Sequence, residues 1–134
     1  AAKALALAWG ATVEGYGCLS LVAAQAMARL DRPRPVCVAM LAGHGEFFVQ
    51  NFSATGAPTS PFAMLAPEQA ARAVAADVIA GSAAAELAHA TGVGEHFSIL
   101  PNAAHISLVA DDMKKLPARP DYGRKPDARP AKSA

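Results

Sequence analysis

Two cysteines, Cys18 and Cys37, are all that this 134-residue chain contains, and neither belongs to a Cys-x-x-Cys pair or stands at metal-ligand spacing from a histidine. That excludes a disulfide framework and suits a reducing, cytoplasmic compartment, with both thiols expected in the core, where unpaired cysteine usually lies. Aromatic residues make up 6% of the chain, with a single tryptophan, too few for a row of base-stacking platforms. Charge of either sign is also scarce: 12 Lys and Arg against 11 Asp and Glu leave a net +1. So small an excess gives no broad field to draw nucleic acid or an acidic membrane to the surface. No apolar run approaches the roughly 20 residues of a membrane span.

What is abundant is apolar, 53% of the residues. A chain of this length buries roughly two-thirds of its unfolded surface, so one domain, or one lobe of a larger one, can hold a core without staples. No repeat of 20 to 50 residues is visible, and the many alanines serve helices and close packing.

Ala1 to Trp9 (AAKALALAW) consists of helix formers stopped by Gly10, the residue that best tolerates a left-handed cap. It has the apolarity of a leader's core but no basic leader or cleavage site, so it reads as a helix entered part-way. Thr12 to Tyr16 is a short strand candidate. Leu19 to Leu30 places apolar residues at helical spacing and is ended by Asp31 to Pro35. Val36 to Ala42 is a continuous apolar strand, turned by Gly43, His44 and Gly45 into Glu46 to Phe52, which predicts a β-hairpin. Pro67 and Glu68 suit the first turn of a helix to Ala76. Asp77 to Ala80 reads as a strand, Ser82 as the N-cap of a helix over Ala83 to Ala90, and Phe97 to Leu100 as a strand. Asn102 caps a helix from Ala103 to about Met113. Alternating strands and helices argue an α/β layer architecture over residues 1–115. The Pro-rich, basic composition of 116–134 argues an extended tail.

Catalytic frames are missing. His44, His89, His96 and His105 form no H-E-x-x-H motif, and only Glu46 lies near His44, so four unrelated loop or surface histidines are expected instead of a metal site. Gly81-Ser82 lacks the G-x-S-x-G elbow. Gly15-Tyr16-Gly17 and Gly92-Val93-Gly94 lack the third glycine and lysine of a phosphate cradle. Asp111 and Asp112 point apart on a helix. Arg124, Lys125, Arg129 and Lys132 read as a solubilising tail, with contact to RNA or an acidic partner as the alternative. At the other end, Leu5 and Trp9, four apart, continue Ala1 and Ala2 one turn earlier into an apolar stripe.

Six segments, in order, resemble the TsaB family, also called YeaZ, of the actin-like, ribonuclease-H-like (ASKHA) superfamily. AAKALALAWG is similar to the end of the family's second helix, which follows a G-P-G-S-F-T-G loop not found in this sequence. VEGYGCLSLVAAQA resembles V-x-G-V-S-S-L-E-A-L-A at Gly15, Leu19 and Ala23. VAMLAGHGEFFVQNF resembles the hairpin A-I-D-A-R-x-G-E-V-Y-x-Q-x-F at Ala39, Ala42, Gly45, Glu46, Gln50 and Phe52, with Leu41 and Gly43 where the family has Asp and Arg. LAPEQAA, PNAAHISLVA and DYGRKPDARP resemble L-S-P-E-E-A-A, P-x-A-x-x-L-A-x-L-A and the terminal Y-x-R-x-P-D-A-x-P.

The resemblance implies an actin-like lobe, with a mixed sheet and flanking helices, and specifically the family's C-terminal lobe, the N-terminal one being outside this sequence. Proteins of this family assist TsaD, with TsaE and ATP, in placing a threonylcarbamoyl group on the adenosine beside the anticodon of tRNA. They lack TsaD's metal-binding histidines, act as a non-catalytic scaffold without a cofactor of their own, and commonly form homodimers. The expectation is therefore an accessory subunit that meets tRNA only through its complex. Its helix of Ala1, Ala2, Leu5 and Trp9 would contact a TsaD-like subunit or a second copy. The rival expectation is a metal-dependent M22-type peptidase or a nucleotide hydrolase, from kinship alone.

Overall fold

The computed structural model describes residues 1–123. Its frame is a five-stranded mixed sheet of β1 (Val36–Leu41), β2 (Phe47–Phe52), β3 (Ala63–Leu65), β4 (Val78–Ala80) and β5 (Glu95–Phe97), in the order β3-β2-β1-β4-β5. The β1–β2 hairpin pairs Val36 with Phe52 and Leu41 with Phe47. Its tight turn puts His44 at φ 61° between two glycines. β3 adds antiparallel to β2, whereas β4 and β5 run parallel to β1. Both edge strands are three residues long, which leaves little ladder open to another chain.

Helices cover both faces, and the two-residue period of the pleat assigns the side chains. Val36, Val38, Phe52, Val78 and Ala80 meet Leu19, Val22, Ala23 and Ala26 of α2 (Cys18–Met27). Cys37, Ala39, Phe47, Val49 and Ile79 meet α3 (Pro67–Ala73) and α4 (Ala84–Thr91) through Ala70, Ala84, Leu87 and Ala88. Each fully buried Val, Leu, Ile or Phe contributes about 1.5–3 kcal/mol. Small residues bring the layers close: a β-carbon on Gly81 (φ +122°) would stand 2.1 Å from the Ala39 carbonyl oxygen.

Two buried amides tie irregular connections to this frame. Gln25 Nε2 donates to the Leu100 carbonyl (3.1 Å) and its Oε1 accepts from the Asn102 N–H (2.8 Å). Asn51 Nδ2 donates to the Ala73 carbonyl (2.8 Å) and its Oδ1 accepts from the Ala75 N–H (3.0 Å).

These contacts account for most departures from the sequence reading. The helix expected to Ala76 stops at Ala73 because Asn51 takes the Ala73 carbonyl and the Ala75 N–H. The helix beginning at Leu19 runs from Cys18 only to Met27, and Ala28 to Leu30 form a turn. Ser82 is not an N-cap; its hydroxyl accepts from the Leu41 N–H (2.9 Å), joining the end of β1 to the β4–α4 turn. Asp77 lies outside β4, its carboxylate 3.7 Å from Arg34, which also pairs with Glu95 at the start of β5. β5 accordingly begins at Glu95, not Phe97, and Leu100 is drawn toward Gln25. Asn102 does cap, accepting from the Ala104 N–H (3.0 Å), but the helix expected to Met113 is two 3-10 segments, Ala103–Leu108 and Asp111–Lys114, parted where Val109 turns inward to burial. Thr12 to Tyr16 forms no strand, only a bridge of Gly15 to Leu116. β3 had no sequence signal of its own. Of the two cysteines, Cys37 is buried and Cys18 is exposed at the first turn of α2; the helical phase that buries Leu19 and Val22 turns position 18 outward.

Candidate functional site

The stripe of Ala1, Ala2, Leu5 and Trp9 lies on the first helix, α1 (Ala2–Trp9), or just ahead of it. Gly10 ends the helix in the left-handed conformation, its N–H directed at the carbonyls of Ala6 and Leu7. No residue of α1 is buried: Leu5 is 49% and Trp9 74% exposed, and Leu7, off the stripe, is 85% exposed. An eight-residue helix is too short to be stable alone in water, and exposed large apolar side chains grouped on one helix mark a surface for association.

Residues 11–14 have no regular structure and lead from α1 to Gly15, whose N–H donates to the Leu116 carbonyl at 2.7 Å and whose carbonyl accepts from the Leu116 N–H at 3.0 Å. Beside this bridge opens a cavity of about 610 Å³. Its walls include Leu19 of α2, Phe48 of β2, Phe62, Met113 and Leu116, and among its polar members are Ser20, Gln50, Arg119 and Asp121. Phe48 and Phe62 stack with ring centroids 5.4 Å apart. The space stands beside α2, which packs chiefly on β1, and is bordered on its other side by Pro58, Phe62 and the segment from Met113 to Asp121. Sequence reasoning missed this site. Its one legible trace is the pair Phe48 and Gln50, which share a face of a strand whose other face, Phe47 and Val49, is wholly core.

The histidines are dispersed. His44 sits in the hairpin turn, His105 in a 3-10 segment, and His89 and His96 line one shallow pocket of about 420 Å³ beside Gly92 and Gly94. Among the described residues no three His, Cys, Asp or Glu side chains are grouped so as to hold a metal ion. Asp111 pairs with Lys114 at 2.8 Å, which holds its carboxyl below the usual range. Burial pushes the Cys37 thiol up to about 12. Arg124, Lys125, Arg129 and Lys132 lie outside the described residues.

The architecture is an antiparallel three-strand meander continued by two parallel strands, with helices on both faces, the mixed sheet that the sequence predicts. The fold is that of YeaZ. YeaZ from Pseudomonas aeruginosa matches 80% of this chain and 54% of its own, at 22% identity and a TM-score of 0.62. A second solved protein of Pseudomonas aeruginosa, described as uncharacterized with similarity to peptidase YeaZ, matches 79% of this chain and 53% of its own, at 22% identity and a TM-score of 0.60. The chain thus spans about half the length of the solved structures it matches. No family model matches the sequence, and no curated protein does. Among the described residues no helix is long and apolar enough to cross a membrane.

Proposed function

We propose that this chain is the C-terminal lobe of a TsaB-like accessory subunit, which carries no catalytic centre and supports a TsaD-like transferase in threonylcarbamoyl transfer to tRNA. A TsaE-like ATPase completes the complex, tRNA is met only through it, and the setting is cytoplasmic. The observation that carries the reading is α1: on a YeaZ-like lobe, it offers Leu5 and Trp9 to solvent with none of its residues buried. The six matching segments support the family.

The test is reconstitution with the TsaD-like and TsaE-like proteins of the same organism, ATP, threonine, bicarbonate, the enzyme that makes the threonylcarbamoyl donor, and unmodified tRNA. Co-elution with the TsaD-like subunit, and modified nucleoside whose yield falls when Leu5→Glu and Trp9→Glu are combined, is the expected result. Failure to co-elute, or peptidase or ATP hydrolysis by the chain alone that is lost on His44→Ala, overturns it.

A further inference from the structure

The cavity beside the Gly15–Leu116 bridge takes in the opening turn of α2: Gly17, Cys18, Leu19 and Ser20 all line it. The first N–H groups of a helix have no acceptor within it, and here no side chain caps them and no acidic residue stands in the first turn. Leu21 is the first of the helix whose N–H finds a carbonyl, that of Gly17 at 3.2 Å. The same turn holds a second unmet group. Ser20 is only 7% exposed, yet its hydroxyl has no hydrogen-bond partner among the described residues. A β-carbon built on Gly17 would stand 3.1 Å from the Ser20 Oγ and 3.8 Å from its Cβ, so the hydroxyl leads toward Gly17 on the cavity wall. We infer that this cavity binds a small carboxylic acid of single negative charge with an apolar body: the carboxylate accepts from the N–H groups that open α2 and from the Ser20 hydroxyl, with Arg119 as its counter-charge.

Arg119 lines the cavity and forms no ion pair among the described residues. It stands on a strap held at both ends. Leu116 is tied to Gly15, and a β-carbon on Gly123 would stand 2.8 Å from Phe62 Cε1 and 3.3 Å from Phe48 Cε1. The chain's own backbone therefore closes against the aromatic pair, which serves as a fixed wall, and the ligand's apolar body lies along Leu19, Met113 and Leu116. The volume of about 610 Å³ falls within the roughly 300–1,000 Å³ of sites that enclose an organic molecule. The partial positive charge of a helix N-terminus favours an anion, and hydrogen bonds to an ionised acceptor are the strong ones. Asp121, the one acid of the wall, limits that charge. Its Oδ1 accepts the Gly123 N–H at 3.0 Å, and its carboxylate repels a dianion such as a phosphate ester more than a carboxylate.

The site takes nothing from α1, so this inference goes beyond the scaffold reading and stands or falls without it.

The test is an NMR titration of the full 134-residue chain, isotope-labelled at its amides, with phenylacetate as the probe. Saturable shifts, largest at the N–H groups of Cys18, Leu19 and Ser20, are the expected result. Phenylacetamide, of the same shape without the charge, should bind about tenfold more weakly, and Ser20→Ala and Arg119→Gln should each cost phenylacetate about tenfold. Lys114→Gln, at a lysine that pairs with Asp111 outside the cavity, should leave the affinity unchanged. Amide spectra that differ from wild type only around the first turn of α2 and the strap show that the variants stay folded, and Arg119, being exposed, keeps the test open if Ser20→Ala does not fold. Inorganic phosphate, with charge but no apolar body, should not displace the probe. No saturable shift, shifts centred on Leu5 and Trp9, equal binding of acid and amide, or equal losses with Lys114→Gln and Arg119→Gln would each overturn the site. Displacement by inorganic phosphate, or tighter binding of phenyl phosphate than of phenylacetate, would overturn the assignment to a carboxylic acid.

Discussion

Gly15 and Leu116, a hundred residues apart in the chain, hold each other by a reciprocal pair of backbone hydrogen bonds of 2.7 and 3.0 Å. The pair closes the lobe where the segment after α1 enters and the segment after Lys115 leaves, and it forms one wall of the apolar cavity. Leu116→Pro removes one of the two bonds and should lower stability by about 1–3 kcal/mol. Urea unfolding measures the loss, and an unchanged midpoint would show that the bridge is dispensable.

Two glycines with positive φ should respond very differently to alanine. Around Gly10 nothing lies within 4 Å of an added β-carbon, so Gly10→Ala meets only backbone strain, about 1–2 kcal/mol. At Gly81 the same carbon would collide with the Ala39 carbonyl, forcing the β4–α4 turn off β1. A loss of about 3 kcal/mol or more is expected for Gly81→Ala. Thermal melts of the two variants decide it, and equal losses would place Gly81 in looser packing than described.

Asn51 satisfies the Ala73 carbonyl and the Ala75 N–H at once. Asn51→Leu leaves both without their partner inside the protein, at a cost of about 1–3 kcal/mol for each that stays dry. Amide exchange should show the Ala75 N–H losing protection first. Retained protection there would mean that another acceptor replaces Asn51.

The buried Cys37 thiol predicts a pH dependence. Burial raises Cys37 to about 12 in the folded protein, from the 9.0 of an ordinary exposed thiol. The unfolded chain therefore loses this proton first as pH rises, and linkage gives the sign: the contribution is full below about pH 9 and is lost progressively as pH climbs toward 12. Cys37→Ala should flatten that part of the stability curve while lowering its plateau by leaving a small void. A neutral-pH thiol reagent should label Cys18 alone in the folded protein, with Cys37 reacting only after unfolding. Rapid labelling of both would contradict the burial of β1.

The sequence by itself determined the layers. Val36 to Leu41 is apolar without interruption because both faces of β1 are covered, and Gly43-His44-Gly45 could only be a turn, so the β1–β2 hairpin was legible from local chemistry. So were the start of α3 at Pro67 and the Asn102 cap, because proline geometry and a side-chain acceptor act on neighbours along the chain. The Leu5–Trp9 stripe was equally plain, since helical spacing alone creates it. What tertiary structure decided lies wherever a distant residue supplies the partner. Asn51 ends α3, Gln25 fixes the path through Leu100 and Asn102, Leu41 takes the Ser82 hydroxyl from its expected cap, and Arg34 sets the start of β5. The cavity is the fullest case. Leu19, Phe48, Phe62, Met113 and Leu116 are spread over nearly a hundred positions, and no local periodicity records where α2 lies on the sheet; only the packing of the finished layers brings them to one wall.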